Sequence, residues 1–257
     1  MTINLRRAAL LAVLPLAVAA ATAQAQTRTL VVGSSATYPP FAYETPAKEI
    51  VGFDVDIIKA IALKTGLTLK IVNTPFTGVF ASLNNGDLDL IISGVTINDR
   101  RRQSYDFTAP YFEARQLIAV HKSSTVTRLQ DLAGKKIGVV TGSTGDDVAS
   151  RAFGKTSANI RRFDTTPLII AELANYGVDA AIGDNGVIAY RVAEQKDLKT
   201  VDDAAFPKEY FGIVVKQGNA ALRKTIDTGL AAIRADGSDA SIYRKWFKTE
   251  PPVLPKP

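Results

Sequence analysis

Short apolar runs alternate with amphipathic helical patterns along most of the chain, and this alternation constrains the fold more than any other feature. The apolar run at 29–33 ends in glycine and predicts a buried strand. Apolar residues at helical spacing follow at 53–62, and strand and helix patterns then alternate through 67–93. A second set of such units occupies 136–195. This strand–helix–strand order predicts parallel sheets with helices on their faces, in two successive α/β lobes.

The remaining C-terminal part does not continue the alternation. Residues 210–215 predict a strand, 220–235 a long amphipathic helix, and 241–247 a further helix that contains the only tryptophan of the chain. These elements could cover either lobe. The last stretch, 250–257, is too rich in proline for regular structure.

The N-terminus has the pattern of an export signal. A basic pair precedes an apolar, Ala/Leu/Val-rich stretch at 8–21 that is short for a membrane span. Small residues around Ala25 offer a cleavage site, with Gln26 as the new N-terminus. We therefore predict a signal peptide over 1–25 and export to the periplasm, whereas the alternative is a buried or anchoring helix.

The basic pair, Arg6 and Arg7, also allows a twin-arginine signal, although the flanking residues favour the general secretory type. Cleavage near Ala25 would lower the formal net charge from +6 to +4. The basic clusters at 100–102 and 161–162 are scattered and lack interleaved aromatic residues. The sequence therefore predicts solvated surfaces at these clusters and no nucleic-acid partner.

Composition also limits the chemistry that the chain can perform. There is no cysteine, so the sequence predicts neither a disulfide framework nor lipid attachment to an N-terminal cysteine. The single histidine, His121, follows an apolar run and is expected at a strand end, without partners for a metal site. We predict no metal and no cofactor.

One segment has the residues of an anion site. In the run at 91–102 an apolar strand ends at Gly94, the hydroxyl of Thr96 follows, and three arginines come where a helix is predicted to begin. A guanidinium binds a carboxylate through two parallel hydrogen bonds, and a helix N-terminus favours negative charge. This arrangement predicts a carboxylate site.

Several segments, in order and at natural spacing, resemble the periplasmic amino-acid-binding proteins of ABC transporters, solute-binding protein family 3. The most specific is GVTINDRR at 94–101, followed by DFTAPY at 106–111. The others are TYPPF at 37–41, GFDVD at 52–56, FTGVFASL at 76–83, TGSTG at 141–145, VDAAIGD at 178–184 and IYRKWF at 242–247.

The resemblance implies a type II periplasmic-binding-protein fold. Such a fold has two lobes, each a mostly parallel sheet flanked by helices, joined by two crossing hinge strands. Lobe 1 would comprise 27–116 and 211–257, and lobe 2 would comprise 117–210. The crossings are expected near 115–118 and 209–212.

The resemblance also implies how an amino acid would be bound. Arg101 would pair with the α-carboxylate, with backbone N–H groups of Thr96 and Thr144 as further donors. Asp184 would accept from the α-ammonium, together with the Gly94 carbonyl and the Thr96 hydroxyl. A buried charge without a partner is costly, so both ligand charges need such groups.

The variable side chain of the ligand would lie between Tyr38 and Phe76, with Ser93 and Ser143 as further lining residues. In relatives that take arginine, lysine or histidine, the position matching Ser35 usually resembles an aspartate that meets the basic side chain. Serine is uncharged, so we predict a polar, uncharged amino acid.

Each of these residues also has an ordinary structural interpretation. Arg101 could be a solvated helix residue, as we expect for its two arginine neighbours. Asp184 could simply cap the helix predicted to follow it, and Thr96 could also be a helix cap. Tyr38 and Phe76 could be core aromatics.

The predicted function is capture of an amino acid by closure of the two lobes and delivery to an inner-membrane ABC permease, by a monomer without enzymatic activity. Two alternatives remain open from the sequence. One is an enzyme on the same fold, similar to cyclohexadienyl dehydratases, although no spare general acid is evident. The other is a ligand-dependent signalling partner of a membrane receptor.

Overall fold

A computed structural model describes residues 28–255, so the predicted signal peptide lies outside the described residues. The strands are β1 (Leu30–Ser34), β2 (Thr37–Tyr38), β3 (Ala42–Glu44), β4 (Ile50–Val51), β5 (Leu69–Asn73), β6 (Leu90–Ile91), β7 (Tyr105–Phe107), β8 (Phe112–Ala114), β9 (Gln116–His121), β10 (Ile137–Val140), β11 (Ile160–Phe163), β12 (Ala180–Asp184), β13 (Leu198–Val201), β14 (Glu209–Phe211) and β15 (Val214–Lys216). The helices are α1 (Phe53–Thr65), α2 (Phe76–Asn85), α3 (Asp99–Arg102), α4 (Thr144–Phe153), α5 (Thr166–Ala174), α6 (Asn185–Ala193), α7 (Ala220–Ala235) and α8 (Ser238–Phe247), with a 3₁₀ turn at Leu129–Leu132.

Lobe 1 is built on a five-stranded sheet in the order β5-β1-β6-β15-β7. Strand β1 is parallel to β5 and β6, whereas β15 is antiparallel to β6 and β7. Helix α1 packs on this lobe because Phe53, Ile57, Ile58 and Ile61 recur on one face and are all buried. The helix ends at Gly66, whose left-handed conformation (φ 71°) allows the chain to turn away.

Lobe 2 is built on a second five-stranded sheet, in the order β11-β10-β12-β9-β13. Strand β10 is parallel to β11 and β12, and β9 is antiparallel to β12 and β13. Apolar clusters cover both faces of this sheet, which explains why its three central strands, β10, β12 and β9, are mostly apolar and buried.

Two antiparallel strands, β8 and β14, form a separate hinge sheet between the lobes. Phe112 of β8 and Phe211 of β14 pack on each other with ring centroids 5.4 Å apart, and Phe41 packs edge-on against both. These rings belong to the core of lobe 1. The hinge sheet is therefore anchored to lobe 1 by aromatic packing.

This arrangement confirms the predicted fold class, two α/β lobes with flanking helices joined by two crossing strands. Each five-stranded sheet is mixed, with two parallel and two antiparallel strand pairings. The first hinge strand, at Phe112–Ala114, precedes the expected crossing near 115–118 by a few residues. The residue boundaries of the lobes, 27–116 plus 211–257 and 117–210, stay a prediction.

Two predicted elements differ from the structure. The strand predicted at 210–215 is two strands, because Gly212 and Ile213 leave the hinge sheet and their N–H groups bond to Val95 and Thr108. The apolar run continues through this change of partner, so periodicity does not detect it. The apolar pattern predicts a short helix over 79–85, but helix α2 begins three residues earlier, at Phe76, because Pro75 precedes its first turn. Among the described helices, none has both the length and the apolar character needed to cross a membrane.

Candidate ligand-binding site

The cleft between the lobes contains every residue that the family resemblance singled out. Those on the lobe 1 side are Tyr38, Phe76, Ser93, Gly94, Thr96 and Arg101, and those on the lobe 2 side are Ser143, Thr144 and Asp184. Strand ends and helix starts bring them together, because the carboxyl ends of the parallel strands in each lobe face the cleft. Their role in binding a ligand stays a prediction.

Arg101 is a buried cation on the lobe 1 side of the cleft and is 6% exposed. It belongs to the short helix α3, which begins after Asn98, whose side chain accepts from the Arg101 N–H at 2.9 Å. The guanidinium donates to the carbonyl oxygens of Thr96 at 2.8 Å and Gly142 at 3.3 Å. Burial lowers the pKa of Arg101, but an arginine stays protonated.

Two aromatic rings support the same guanidinium. Its central carbon lies 5.7 Å from the ring centroid of Phe76 and 5.5 Å from that of Phe80, both on α2. A cation over a ring face is stabilised by the ring quadrupole. The structure therefore does not support the interpretation of Arg101 as a solvated helix residue, and it gives Phe76 a place beside a charge at the cleft.

Asp184 is the facing carboxylate, at the end of β12 and immediately before α6. It occupies the N-cap position, but its side chain makes no capping hydrogen bond. The carboxylate accepts instead from the Tyr38 hydroxyl and from Gln116 Nε2, the latter at 2.8 Å. The interpretation of Asp184 as only a helix cap is therefore wrong.

The environment of Asp184 favours its neutral form. Burial, followed by the negative charge of Glu209, raises the pKa of Asp184 to about 7, although hydrogen bonds from Tyr38 and Gln116 and the charge of Arg101 act in the opposite direction. Burial also raises the pKa of the Tyr38 phenol well above its usual value, so the hydroxyl stays protonated and donates a hydrogen bond to Asp184. Ionised Asp184 would be stabilised by a cation in the cleft.

Gly94 brings the backbone close to Tyr38. Its φ of 56° is left-handed, and a Cβ at this position would lie 2.7 Å from Cε1 of Tyr38. The Gly94 N–H donates to Oδ2 of Asp54 at 2.9 Å, and the Tyr111 hydroxyl donates to Oδ1 at the same distance. Glycine is therefore required here by both conformation and space.

Asp54, within the motif at 52–56, is a buried carboxylate behind the site that the sequence analysis does not single out. It is fully buried, and its carboxylate fixes the loop at Gly94 by accepting a hydrogen bond from the Gly94 N–H. Burial raises the pKa of Asp54 to about 7, although its hydrogen bonds from Tyr111 and Gly94 lower it. The signal in the sequence was an acidic residue directly after a buried phenylalanine, which alone does not identify a partner.

Thr96 and Thr144 face each other across the cleft, with their hydroxyl oxygens 3.5 Å apart. Both lie within hydrogen-bond distance of Oε2 of Glu209, at 3.0 Å and 2.8 Å respectively. Gln116 Nε2 lies 3.0 Å from the Thr144 hydroxyl. Thr96 is not a helix cap, since that position is held by Asn98.

Glu209 and Gln116 were also missed by sequence reasoning as site residues. They stand at the two predicted crossings, each between a basic residue and an apolar or aromatic one, and this local pattern does not indicate a site. No family motif quoted from the sequence includes either of them. Their proximity to the site depends on how the crossings pack, which the local pattern does not specify.

The two predicted serines have structural partners as well as places in the cleft. Ser143 caps α4 by accepting from the Asp146 N–H at 3.2 Å. Ser93 accepts from the Ser35 N–H at 3.0 Å, which joins the loops after β1 and β6. The Ser35 hydroxyl lies 3.3 Å from that of Thr37. These hydroxyls add polar groups to the cleft without adding charge.

Two other predicted positions lie outside the cleft. Arg100 forms an ion pair with Asp147 of lobe 2 at 3.0 Å, so it bridges the lobes at the surface and is not merely a solvated residue. His121 ends β9, lies 2.6 Å from the Leu173 carbonyl oxygen through Nε2, and stacks on Tyr176. Within residues 28–255, no cluster of three or more His, Cys, Asp or Glu residues could hold a metal ion.

The family model for bacterial extracellular solute-binding proteins, family 3, matches residues 30–249. The chain belongs to this family. The family resemblance predicted from the sequence motifs is thus confirmed over nearly all of the described residues.

Curated and solved relatives agree with this assignment. The probable histidine-binding protein of Neisseria gonorrhoeae is 40% identical over 224 residues, which cover 85% of this chain and 83% of that protein. The structure of the arginine-, lysine-, histidine-binding protein ArtJ of Geobacillus stearothermophilus superimposes with a TM-score of 0.84 at 41% identity, covering 87% of this chain and 97% of that one.

A third relative bears on catalysis. An ancestral amino-acid-binding protein, described as a precursor of cyclohexadienyl dehydratase, matches with a TM-score of 0.79 at 30% identity, covering 85% of this chain and 95% of that one. All three of these relatives are named as binding proteins.

Proposed function

We propose that this family 3 protein captures a free amino acid between its lobes and delivers it to an inner-membrane ABC permease. The observation that supports this most directly is the pairing of a buried cation, Arg101, with a carboxylate, Asp184, on opposite walls of one cleft. An amino acid carries one charge of each sign. Only the closed cleft offers a partner to both charges, so the ligand stabilises closure.

In this proposal Arg101 and the N–H groups of Thr96 and Thr144 bind the α-carboxylate. Asp184 accepts from the α-ammonium, together with the Thr96 hydroxyl and the Gly94 carbonyl. The oxygens of Asp184 can accept more hydrogen bonds than the two they receive from Tyr38 and Gln116. The site thus matches the α-carboxylate and α-ammonium groups that all amino acids share.

The variable side chain would extend past Tyr38 and Phe76, with Ser93 and Ser143 beside it. We propose that this side chain is polar and uncharged, because the hydroxyls of Ser35 and Thr37 are the polar groups at that end of lobe 1. Neutral histidine satisfies this condition, and one relative is named for histidine. Histidine is therefore the first ligand to test.

Arginine is the competing ligand, because the exposed carboxylate of Asp164 also lines the cleft, on the lobe 2 side. The similar protein ArtJ is named for binding arginine, lysine and histidine, so the affinities for arginine and histidine should be compared in one experiment. Protein purified from the periplasmic fraction should be titrated calorimetrically with histidine, glutamine, arginine and glutamate. We expect histidine or glutamine to bind at least tenfold more tightly than arginine and glutamate. Tighter binding of arginine would overturn the ligand class but not the amino-acid site.

Closure and export have separate tests. Small-angle scattering should show compaction when the tightest ligand is added. Absence of compaction would contradict capture by closure.

Mass spectrometry of the periplasmic protein should give an N-terminus near Gln26 if the signal peptide ends near Ala25. Light scattering should give the mass of a monomer.

The enzyme alternative is tested on the same sample. A cyclohexadienyl dehydratase-like activity would convert prephenate or arogenate, with release of water and carbon dioxide. We expect no turnover of either compound. The signalling alternative would require a membrane partner other than a permease, which crosslinking of the liganded protein in intact cells would identify.

A further inference from the structure

Glu209 is a carboxylate that touches both lobes and the hinge at once. Its Oε2 atom lies 3.0 Å from the hydroxyl of Thr96 in lobe 1 and 2.8 Å from that of Thr144 in lobe 2. Gln116 lies on β9, and its Nε2 atom is 3.3 Å from both carboxylate oxygens of Glu209. Within residues 28–255, no lysine or arginine forms an ion pair with Glu209, whereas the adjacent Lys208 pairs with Glu113.

The hydrogen-bond chemistry of this cluster determines where the threonine protons point. A carboxylate can only accept, so each threonine hydroxyl that bonds to Glu209 must donate its single proton to it. The amide nitrogen of Gln116 can only donate, so Thr144 accepts from it at 3.0 Å. With its proton committed to Glu209, the Thr96 hydroxyl presents only lone pairs toward the cleft.

We propose that Glu209 is a positioning residue for the α-ammonium of the ligand, because it turns the Thr96 hydroxyl into an acceptor and adds negative charge behind Asp184. This inference rests on the proposed function, since it concerns the same site. It assigns to Glu209 the selection of ligands that carry an amine.

The charges around Asp184 are consistent with this role. The groups that face it are the Tyr38 hydroxyl, the Gln116 amide, the Arg101 guanidinium and the Glu209 carboxylate. Two carboxylates, Asp184 and Glu209, therefore share one cation, Arg101. A ligand ammonium therefore relieves the repulsion between them, whereas a 2-oxo acid or a deamino acid would not.

The test compares each amino acid with its analogue that lacks the α-amine. The pairs are L-histidine with 3-(imidazol-4-yl)propionate, L-glutamine with 4-carbamoylbutanoate, and L-arginine with 5-guanidinopentanoate. The pair whose amino acid binds the unmodified protein most tightly is then measured with Glu209→Gln. A glutamine side chain can donate to the threonine hydroxyls, which releases their protons toward the cleft and removes the charge.

We expect Glu209→Gln to weaken binding of the amino acid by about tenfold to a hundredfold, the effect of one charge-assisted hydrogen bond. Binding of the deamino analogue should change by less than about twofold on the same scale. A merely structural role would weaken both ligands equally, and that result, or no change in either, would overturn the proposal. If no amino acid binds the unmodified protein, the proposed function itself fails and this inference fails with it.

Glu113→Gln is the matched control. Glu113 lies on β8 opposite Tyr210 of β14, so the same chemical change is made on the neighbouring hinge strand, with Lys208 as its partner. We expect it to leave the ratio of the two affinities unchanged.

Two further variants keep the inference falsifiable if Glu209→Gln does not fold. Thr96→Val removes the acceptor and leaves Glu209 intact, so it should reduce the same affinity ratio. Glu209→Asp keeps the negative charge and should retain part of the ratio. The acid midpoint of amino-acid binding should also move to lower pH in Glu209→Gln, because loss of the Glu209 charge lowers the pKa of Asp184. If Glu209→Gln does not fold, an unchanged ratio in Thr96→Val is sufficient to reject the role. If it folds, an unmoved acid midpoint in Glu209→Gln also contradicts the role.

Discussion

The two walls of the cleft are held in place by different means. On the lobe 1 wall, buried groups of the same lobe support the site, since Asp54 binds the Gly94 N–H and Thr96 accepts from Arg101. On the lobe 2 wall, Asp184 accepts from Tyr38 of lobe 1 and from Gln116, next to the hinge. The lobe 1 wall thus rests mainly on contacts within lobe 1, and Arg101 adds one hydrogen bond to the Gly142 carbonyl of lobe 2. Asp184 of the lobe 2 wall gains Tyr38 as a partner only when the lobes meet.

This contrast indicates an order of events in binding. A ligand can form its strongest contacts with lobe 1 first, because those groups are already positioned. Contacts with Asp184 and Thr144 then accompany closure, as expected when binding shifts a population of open and closed states. Variants on the two walls should therefore differ in their effects on affinity, closure and stability.

The largest effect is expected on the lobe 1 wall, from Arg101→Ala. Removing one partner of a buried charge pair costs about 3–5 kcal/mol, which corresponds to roughly 10²–10⁴ in Kd. Calorimetric titration with the tightest amino acid measures it. Asp184→Ala on the other wall should lose affinity to a similar degree and should also reduce compaction in small-angle scattering.

Arg102→Ala is the control for Arg101→Ala, because Arg102 lies on the same short helix and is exposed. It should leave Kd within about twofold. Equal losses for the two arginines would show that the carboxylate partner has been assigned to the wrong residue.

A smaller effect is expected from Gly94→Ala, which tests how closely lobe 1 is built around Tyr38. The new Cβ would lie 2.7 Å from the Tyr38 ring and would force it to move, in addition to the strain of a left-handed alanine. The strain alone is about 1–2 kcal/mol, and displacement of Tyr38 should weaken ligand binding by roughly tenfold.

The control is Gly86→Ala, at the end of α2. Gly86 has φ 85° and has no atom within 4 Å of a built Cβ. It should lower the unfolding free energy by a similar amount while leaving Kd unchanged. Equal losses of affinity in the two variants would contradict a specific fit between Gly94 and Tyr38.

The buried Asp54 carboxyl of lobe 1 should make the free energy of unfolding depend on pH. The pKa of Asp54 is about 7 in the folded protein, above the value near 3.9 of an unfolded aspartate. Between these values the folded state holds a proton that the unfolded state has released, so stability should rise as pH falls from 8 toward 5. One proton corresponds to at most about 1.4 kcal/mol per pH unit.

Urea unfolding at pH 5 to 8 measures this slope. Asp54→Asn should reduce it by roughly half, because the buried Asp184 carboxyl, whose pKa is also raised to about 7, contributes a slope of the same sign and similar size. Asp87→Asn, in the exposed turn before β6, should leave the slope unchanged. A slope as steep in Asp54→Asn as in the unmodified protein would show that Asp54 does not hold the proton.

The smallest effect is expected for the ion pair that joins the walls at the surface. Arg100→Ala removes the 3.0 Å contact with Asp147, in which the Arg100 side chain is 60% exposed. Exposed pairs contribute about 0.2–1 kcal/mol, so Kd should rise by at most about fivefold, and less at high salt.

Arg28→Ala is its control, because Arg28 pairs with Asp89 within lobe 1 at 2.8 Å. It should not change Kd at any salt concentration. If both variants weaken binding equally, the effect reflects net charge and not a contact between the lobes.

Much of the site followed from local motifs. Arg101 and Asp184 were recognisable because each lies in a segment that resembles a family motif, GVTINDRR at 94–101 and VDAAIGD at 178–184. Both side chains line the cleft. Whether Asp184 only caps α6 was not decidable locally, since the N-cap position is the same in either case.

Asp54, Gln116 and Glu209 show what could not be predicted in this way. The partners of Asp54 are 40 and 57 residues away, and those of Glu209 are 113 and 65 residues away. No spacing rule connects such residues. The identity of a polar residue at a hinge is visible in the sequence, but its partners depend on the packing of two lobes.

The sequence alone determined the alternation of strands and helices, the two α/β units and the family motifs, because periodicity and short-range backbone preferences are local properties of the chain. The tertiary structure decided which strand the run at 210–215 pairs with, the placement of the hinge sheet on lobe 1, and the meeting of Arg101, Asp184 and Glu209 around one cleft. The physical reason is that hydrogen bonds and charge interactions between distant segments depend on distance in space, which no local pattern encodes.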